Sequence, residues 1–283
     1  MTSREYVVGS AEGADFPCLS DALEAAQPDD VFWLQPGTHE STGPITQTVV
    51  LIAASARNPP PPADPTTEEE EDVVPATLLA PTIEGRVTLC HLHIRGRVEV
   101  YRGHAMIEEC NIYDGPDGVR VGAGAGLTLR NSRVRHCSTG GIGVYFMRGS
   151  TGEVENTDVY ECRVFGIHVD GAKVVLRNNR IRDSACGIYF RRRASGLIEL
   201  NSVEYIRNFG ICVTENSNPV VRSNRVQHCG VQCLYVSKGS EGVFTENVFE
   251  GSVHVLPNCN VKFIENQIMG AADVDIFTGV FPR

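Results

Sequence analysis

The chain has 283 residues, of which 42% are hydrophobic and 21% are charged, and its formal net charge is −10. This acidity argues against a nucleic-acid-binding protein, which needs a broad basic surface. No run of 18 apolar residues indicates a membrane-spanning helix. Residues 1–6 contain no hydrophobic signal core, so we expect a cytoplasmic protein with no membrane or nucleic-acid partner.

The first segment, residues 4–55, mixes strands with one helix. Three short apolar runs predict strands: residues 5–8, 31–34 and 49–53. Between the first two, Leu19, Leu23 and Ala26 lie at helical spacing, with a proline before them and an acid in the first turn. We therefore expect residues 4–55 to form an N-terminal cap and the first turns of a larger domain.

The segment at residues 57–75 is rich in proline and acid. Six acidic residues and no basic residue lie between positions 58 and 75. Proline blocks strand pairing and like charges repel each other, so we predict a loop that projects from the domain surface.

Residues 77–112 predict short, less regular strands, and they contain a pair of histidines. His91 and His93 alternate with apolar residues, which would place both side chains on one face of a strand. Two such histidines can ligate a metal, but a metal site needs three or four converging ligands and no third one lies nearby. We expect no metal site and no cofactor.

From about residue 107 to 255 one short phrase recurs: a small residue, an aliphatic residue, any residue and a second aliphatic residue. Successive copies begin 23, 25, 21, 23 and 23 residues apart. Their first positions are Gly118, Gly141, Gly166, Gly187, Gly210 and Cys233. A fixed period in the twenties is typical of a solenoid, in which each repeat packs only on its neighbours.

A second phrase, containing asparagine, lies upstream in each repeat, and its apolar residues alternate with period two. This alternation predicts strands, and the Asn, Gly, Ser and Asp residues between them predict tight turns. About 23 residues with two or three short strands form one rung of a parallel β-helix. Stacked rungs would align the asparagines as a ladder at one turn: Asn131, Asn156, Asn178 or Asn179, Asn201, Asn224, Asn247 and Asn266.

We interpret residues 1–283 as a single β-helix domain. The apolar residues of the tail, 271–283, would cover the open last rung or dock into a partner. The ten cysteines include no CxxC pair. In a chain without a signal peptide they predict reduced, buried thiols, and disulfides between rungs are the alternative.

Residues 16–39 resemble the opening of the pectin-lyase-like right-handed β-helices. That opening has an aromatic–proline pair, a short helix, a turn with proline and aspartate, an apolar strand and a Pro-Gly-Thr turn. Here these parts are Phe16-Pro17, residues 18–26, Pro28-Asp29-Asp30, residues 31–34 and Pro36-Gly37-Thr38. Pectin methylesterases open in this way, as do the carbohydrate-binding-and-sugar-hydrolase modules of F-box ubiquitin ligase subunits and Shc-binding proteins. The resemblance implies an all-β fold: a right-handed, single-stranded parallel β-helix whose first rung is covered by the N-terminal helix.

Enzymatic sugar hydrolysis on this fold needs two carboxylates on one face. The first outward column of the repeats reads Arg120, Gly143, His168, Tyr189, Cys212, Tyr235 and His254. The next reads Gly122, Tyr145 or Phe146, Asp170, Arg191, Thr214 and Ser237. Asp170 beside Arg191 is the one acid–base pair in these columns, so we expect no catalytic site. If the chain is an enzyme, Asp170, Arg191 and His168 are its candidate group.

Two features of the same rungs predict binding. The rings of His168, Tyr189, Tyr235 and His254 could grip a sugar or a peptide, or they could pack on each other to stabilise the sheet. Residues 130–193 hold twelve basic and six acidic residues. Within them the run Arg191, Arg192 and Arg193 has no acidic neighbour in sequence, so we expect it to meet a partner with an acidic surface, such as tubulin.

The missing acids and the missing signal peptide favour a non-catalytic scaffold or protein-interaction module over an enzyme. By analogy with the modules named above, it would belong to a cytoskeletal or ciliary, microtubule-associated assembly or to a ubiquitin-ligase-type assembly. The alternatives are a carbohydrate-binding protein that uses the Tyr/His column, and a polysaccharide lyase or esterase.

Overall fold

The computed structural model describes residues 3–57 and 75–274. Most of the predicted acidic loop at 57–75, and residues 275–283 of the predicted tail, therefore lie outside the described residues.

The described chain winds through three sheets, and each strand pairs in parallel with the equivalent strand of the next rung. Twelve strands form sheet A: Glu5–Val8, Asp30–Leu34, Val49–Ala53, Arg86–Cys90, His104–Glu108, Gly126–Arg130, Thr151–Glu155, Lys173–Arg177, Ser195–Glu199, Asn218–Arg222, Glu241–Thr245 and Asn260–Ile264. Eleven strands form sheet B: Gly37–His39, Ala76–Leu79, His93–Arg95, Asn111–Tyr113, Arg133–Cys137, Asp158–Cys162, Arg180–Arg182, Ser202–Ile206, Arg225–Cys229, Val248–Glu250 and Gln267–Ile268. Ten strands form sheet C: Thr82–Ile83, Val98–Val100, Val119–Val121, Ile142–Phe146, Phe165–Asp170, Cys186–Arg191, Phe209–Val213, Gln232–Val236, Val253–Val255 and Ala272–Val274. This topology confirms the predicted all-β parallel β-helix.

One α-helix, Leu19–Ala25, is present among the described residues, together with a 3-10 turn at Ala54–Ala56. The apolar face of the α-helix is buried in the same core as the first strands, and it consists of Leu19, Ala22 and Leu23. The helix thus closes the start of the core, while the free edge of the first strand is partly paired by Asp15 and Phe16, whose backbone N–H groups donate to the carbonyl oxygen of Val7. The predicted cap is found where the helical spacing placed it.

The core is a set of columns that run along the axis of the β-helix. In sheet C the inward column is aliphatic in every rung from Val119 onward: Val119, Val144, Ile167, Ile188, Ile211, Leu234 and Val253. All of these side chains are buried. Because burial of one such side chain stabilises the fold by about 1.5–3 kcal/mol, the stacked rungs supply their own core.

The repeated glycine is explained by close packing at the corner between sheets B and C. A Cβ atom on Gly166 would lie 2.4 Å from Cγ2 of Ile181 and 2.8 Å from the carbonyl oxygen of Gly187. The register also corrects one repeat: Val144 pairs with Val119, so the phrase there begins at Gly143 and not at Gly141. Gly143 therefore faces the interior, and Tyr145 takes the first-column position predicted for Gly143. The prediction of Tyr145 or Phe146 in the second outward column is wrong, because Phe146 is buried in the core.

The predicted asparagine ladder is two ladders side by side. The outer one consists of Asn131, Asn156 and Asn178, which are left-handed, with φ of 50°, 49° and 53°. The inner one is buried and runs through five rungs: Asn179, Asn201, Asn224, Asn247 and Asn266. Each inner Nδ2 donates to the next Oδ1 at 2.8–3.0 Å. Each Oδ1 that accepts this bond also accepts the backbone N–H of the preceding asparagine.

A third ladder, of alternating charge, lies on the outer face of sheet A. Its register places opposite charges on successive rungs: Glu108, Arg130, Glu155, Arg177, Glu199 and Arg222. Nε of Arg130 lies 3.4 Å from Glu155, and Nε of Arg177 lies 3.1 Å from Glu199. Arg222 also pairs with Glu199. Half-exposed pairs of this kind each contribute about 0–1 kcal/mol.

We predict that Asn201→Ala lowers the free energy of unfolding by about 3 kcal/mol, because it leaves buried donors and acceptors of two neighbouring rungs without partners. The matched control is Asn156→Gly in the outer ladder, which keeps the left-handed backbone, and its expected cost is less than about 1 kcal/mol. Urea denaturation followed by circular dichroism measures both. Equal losses for the two variants would contradict the role of the inner ladder.

Candidate functional site

The outward column of sheet C brings side chains from successive rungs into direct contact. Its register reads Glu99, Arg120, Tyr145, His168, Tyr189, Cys212, Tyr235 and His254. Six of these residues are those predicted from the sequence, whereas Tyr145 replaces the predicted Gly143. Glu99 was missed, and it lies 3.8 Å from Arg120 in an ion pair at one end of the column.

An aromatic stack occupies the centre of this column. The rings of Tyr145 and His168 are 4.8 Å apart at an angle of 16°, and those of His168 and Tyr189 are 5.1 Å apart at 25°. Phe165 adds a ring 4.7 Å from His168 and 5.1 Å from Tyr189. As a result His168 is only 4% exposed, while both tyrosines are half-buried and keep part of their surface in solvent.

The second part of the column is a smaller stack. The rings of Tyr235 and His254 lie 5.9 Å apart and are nearly parallel, and Phe209 lies 5.2 Å from Tyr235. Cys212 is buried between the two stacks. The predicted aromatic residues are therefore adjacent, but they form two groups and not one continuous surface.

His168 is a buried histidine whose two ring nitrogens have no hydrogen-bond partner among the described residues. Burial, together with the positive charge of Arg191, lowers its pKa from 6.5 to about 4, and the nearby Asp170 only partly opposes this shift. The imidazole is therefore neutral at pH 7, and it has a free lone pair that nothing in the described structure uses.

Asp170 holds two arginines beside this histidine. Its Oδ2 accepts hydrogen bonds from Arg191 at 2.8 Å and from Arg192 at 3.0 Å, and the hydroxyl of Tyr145 lies at 3.4 Å. The carboxylate is buried, whereas the side chains of Arg191 and Arg192 are 26% and 57% exposed. Burial lowers the pKa of Arg191, but the hydrogen bond and charge of Asp170 outweigh it and raise that pKa above its usual value. The site thus presents two oriented, permanently charged guanidinium groups.

The predicted Asp170–Arg191 pair is present, and it shows that the basic run Arg191, Arg192 and Arg193 is partly neutralised within the protein. The sequence indicated that the run had no acidic neighbour, yet Arg191 and Arg192 both bind Asp170, which lies one rung earlier. Arg192 also lies 3.7 Å from Glu215. Arg193 is exposed, and no ion pair to it occurs among the described residues. A search for acids one period upstream of each arginine would have found Asp170 for Arg192 as well.

The two histidines considered as metal ligands do not share a face. His91 lies in a left-handed turn with φ of 55° and sits 3.0 Å from Glu109, whereas His93 begins a strand and stacks edge-on against Tyr113. In residues 3–57 and 75–274 no group of three or more His, Cys, Asp or Glu side chains could hold a metal ion. The described part of the chain also contains no helix of the length and hydropathy needed to cross a membrane.

We predict that His168 makes the fold sensitive to acid. Its pKa is about 4 in the folded protein, against 6.5 as the ordinary value, so between these values the unfolded chain binds a proton that the folded chain does not. Stability is therefore lost as the pH falls from 6.5 towards 4, by roughly 3 kcal/mol at most. His168→Phe keeps a ring in the stack and should remove this part of the pH dependence.

Urea denaturation at about pH 7 and about pH 4.5 measures the effect. The matched control is His228→Phe, since His228 is exposed and also stacks on a tyrosine, Tyr205, at 4.8 Å. The control should keep the acid sensitivity of the wild type. If His168→Phe keeps it too, a different group is responsible.

The sequence matches none of the curated proteins. Solved structures share its fold over nearly its whole length, and several of them, with TM-scores above 0.5, are enzymes. Pectate lyase Pel9A has a TM-score of 0.56 at 13% identity, with 97% of this chain and 80% of that chain covered. The alginate lyase from Paenibacillus sp. str. FPU-7 has a TM-score of 0.61 at 17% identity, with 95% of this chain and 97% of that chain covered. A rhamnogalacturonan lyase has a TM-score of 0.53 at 11% identity, with 99% of this chain and 90% of that chain covered.

The expectation that this chain is not an enzyme is contradicted by these structures, because the three proteins are lyases of polysaccharides and others with the same fold are a glucanase and mannuronan C-5 epimerases. None of the three supports a cytoskeletal, ciliary or ubiquitin-ligase role, or a protein partner. That expectation depends on the lack of paired carboxylates in the outward columns. Hydrolysis requires such a pair, but not every reaction on this fold does.

The likeness to these structures, at 11–17% identity, establishes a pectin-lyase-like fold. Family membership comes from the sequence itself. The model described as "Right handed beta helix region" matches residues 88–171 and 117–269, which together are more than half of the chain. These residues hold the repeated glycine phrase, the asparagine ladders and the aromatic column of sheet C. The chain therefore belongs to the right-handed β-helix family.

Proposed function

We propose that this protein binds an acidic polysaccharide on the outer face of sheet C and cleaves it by β-elimination. The observation that carries the proposal is the neutral, unpartnered His168, held between two tyrosines and next to the guanidinium groups of Arg191 and Arg192. The names of the similar structures, which are pectate, alginate and rhamnogalacturonan lyases, support the same class of substrate.

The charge of the site favours a uronate over a neutral sugar. A planar guanidinium group can donate two parallel hydrogen bonds to one carboxylate. Arg191 is oriented for this by Asp170, which fixes one side of its guanidinium and leaves 26% of the side chain exposed. The half-buried rings of Tyr145 and Tyr189 offer apolar surface beside a polar hydroxyl, which suits packing against a sugar ring.

The arrangement of acids argues against hydrolysis. Hydrolysis of a glycosidic bond uses two carboxylates, one as acid and one as base or nucleophile. Beside the central aromatic stack the described residues offer one carboxylate, Asp170, and its Oδ2 is already bound by Arg191 and Arg192. Elimination from a uronate needs instead a group that neutralises the substrate carboxylate, a base and an acid, and these roles match arginine, histidine and tyrosine.

In the proposed reaction Arg191 binds the carboxylate of the uronate, which stabilises negative charge when the adjacent C5–H bond breaks. The neutral imidazole of His168 takes that proton. The electron pair forms a C4–C5 double bond, the C4–O bond breaks, and the departing oxygen takes a proton from the hydroxyl of Tyr189. Because His168 is 4% exposed, one of the covering tyrosines must rotate when the sugar enters.

Substrate binding would also tune the base. The positive charge of Arg191 lowers the pKa of His168 in the free protein. A bound uronate carboxylate would offset that charge and raise the pKa of His168 towards neutrality, where a general base is most effective.

We predict that the purified protein forms unsaturated products from polygalacturonate or alginate, and none from a neutral glucan. Ultraviolet absorbance of the new double bond measures this. Arg191→Gln should lower kcat/KM by about 100-fold because it removes the charge that stabilises the transition state. His168→Phe should abolish turnover while it leaves binding of the polymer measurable.

The matched control is Arg225→Gln, since Arg225 also pairs with an acid one rung away, Glu250, but lies on sheet B. Its kcat/KM should stay within about twofold of the wild type, as expected for a surface position. If the wild type gives no unsaturated product with either uronate polymer, the proposed reaction is wrong. If Arg225→Gln loses as much activity as Arg191→Gln, the site is not on sheet C.

A further inference from the structure

A cleft with unbalanced positive charge lies beside the proposed site, on the turns that lead from sheet C back to sheet A. It has a volume of about 470 Å³ and is lined by Arg148, Arg192, Arg193, Glu215, Asn216 and Lys238. Four of these residues are basic and one is acidic. Their turns are joined by backbone hydrogen bonds: Gly149 to Gly171 at 3.0 Å, Arg193 to Glu215 at 2.9 Å and Asn216 to Lys238 at 3.2 Å.

Two arginines of the cleft take part in none of the ion pairs between described residues. Glu215 is shared by Arg192 at 3.7 Å and Lys238 at 3.4 Å. Arg148 and Arg193 are both exposed, and within the described residues neither side chain forms an ion pair. The cleft therefore keeps a net positive charge that no acid of the described chain neutralises.

Two backbone features hold these side chains side by side. Arg192 and Arg193 are left-handed, with φ of 55° and 63°. Such a conformation is costly for a long side chain. Gly171, which lies between the turns of Arg148 and Arg193, has no side chain, and a Cβ there would come within 3.1 Å of both Cγ of Arg148 and the carbonyl oxygen of Arg192. The glycine thus keeps the space between the side chain of Arg148 and the backbone of Arg192 free of a side chain.

The spacing of the bases follows the rungs. Arg148, Arg193 and Lys238 follow the first, third and fifth of five successive strands of sheet C. Rungs are about 4.8 Å apart, so the turns that carry these three bases repeat every two rungs, about 10 Å. An extended polyuronate presents one carboxylate on every sugar, and a row of cations along the axis of the β-helix can therefore meet several carboxylates of one chain.

We infer that this cleft is an anion-binding subsite in which Arg148, Arg193 and Lys238 hold carboxylate or sulfate groups of a polymer that lies along the edge of sheet C, beside the proposed site. The inference rests on the proposed function and adds to it a direction, since the polymer then runs parallel to the axis along the edge of sheet C. The same cleft chemistry would also accept a free anion such as sulfate, and the experiment separates the two sources.

The test compares the wild type with Arg148→Gln/Arg193→Gln. The control is Lys173→Gln/Lys262→Gln, which removes two exposed positive charges from sheet A. Isothermal titration calorimetry measures binding of oligogalacturonate and of sulfate, and unsaturated product formation measures kcat and KM. We expect the cleft variant to bind oligogalacturonate about tenfold more weakly and to raise KM with little change in kcat, because the cleft does not touch the reacting atoms. The control should resemble the wild type, and circular dichroism confirms that both variants are folded.

Each result decides a different point. If the cleft variant binds oligogalacturonate as the wild type does, the subsite is wrong and the site on sheet C is unaffected. If both double variants lose the same affinity, overall charge is responsible and the subsite is also wrong. If the wild type binds sulfate but no polymer, and only the cleft variant loses sulfate, the proposed function fails and the cleft is a site for a free anion. Absence of binding to either ligand overturns both proposals.

Discussion

The whole molecule depends on in-register parallel pairing of each rung with the next. The backbone hydrogen bonds of the sheets fix the stacking along the axis, and the inner asparagine ladder fixes it at the turn between sheets A and B. The Asn201 amide, for example, donates to the backbone of the preceding rung at Leu176 and to the side chain of Asn224 on the following rung, so a rung that shifted by one residue would lose buried hydrogen bonds to both neighbours. The sequence distance between equivalent residues can vary, because the extra residues are taken up in the other turns.

This constraint creates the candidate site from residues that are far apart in sequence. Tyr145, His168 and Tyr189 come from three rungs, and their rings contact only because the register is exact. The neighbouring rung also determines the charge of the site, since Asp170 orients Arg191 and Arg192 of the next turn. A buried neutral histidine beside fixed guanidinium groups is unfavourable for stability and useful for chemistry, which is typical of functional sites.

The sequence predicts the fold well because its signals are local and repeated. Period-two alternation, turn residues and the spacing of the glycine phrase each identify a rung without knowledge of its neighbours. The register within a rung is less certain: Gly141 and Gly143 fit the phrase equally in sequence, and only packing against Ile167 and Val119 selects Gly143. The same is true of Asn178 and Asn179, which belong to different ladders. The state of His168 could not be read from the sequence, because its burial depends on rings contributed by other rungs and by Phe165 on its own strand.

The alternating charges on sheet A limit how the molecule can change in length. Between Glu108 and Arg222, each of the four inner charges lies between two of opposite sign, one rung above and one below: Arg130, Glu155, Arg177 and Glu199. Deletion or duplication of a single rung in this stretch would bring two like charges together, which is unfavourable for directly opposed residues. Deletion or duplication of two rungs would keep the alternation. The backbone therefore repeats once per rung, whereas this charge pattern repeats once per pair of rungs, so within this stretch only a change by an even number of rungs conserves it.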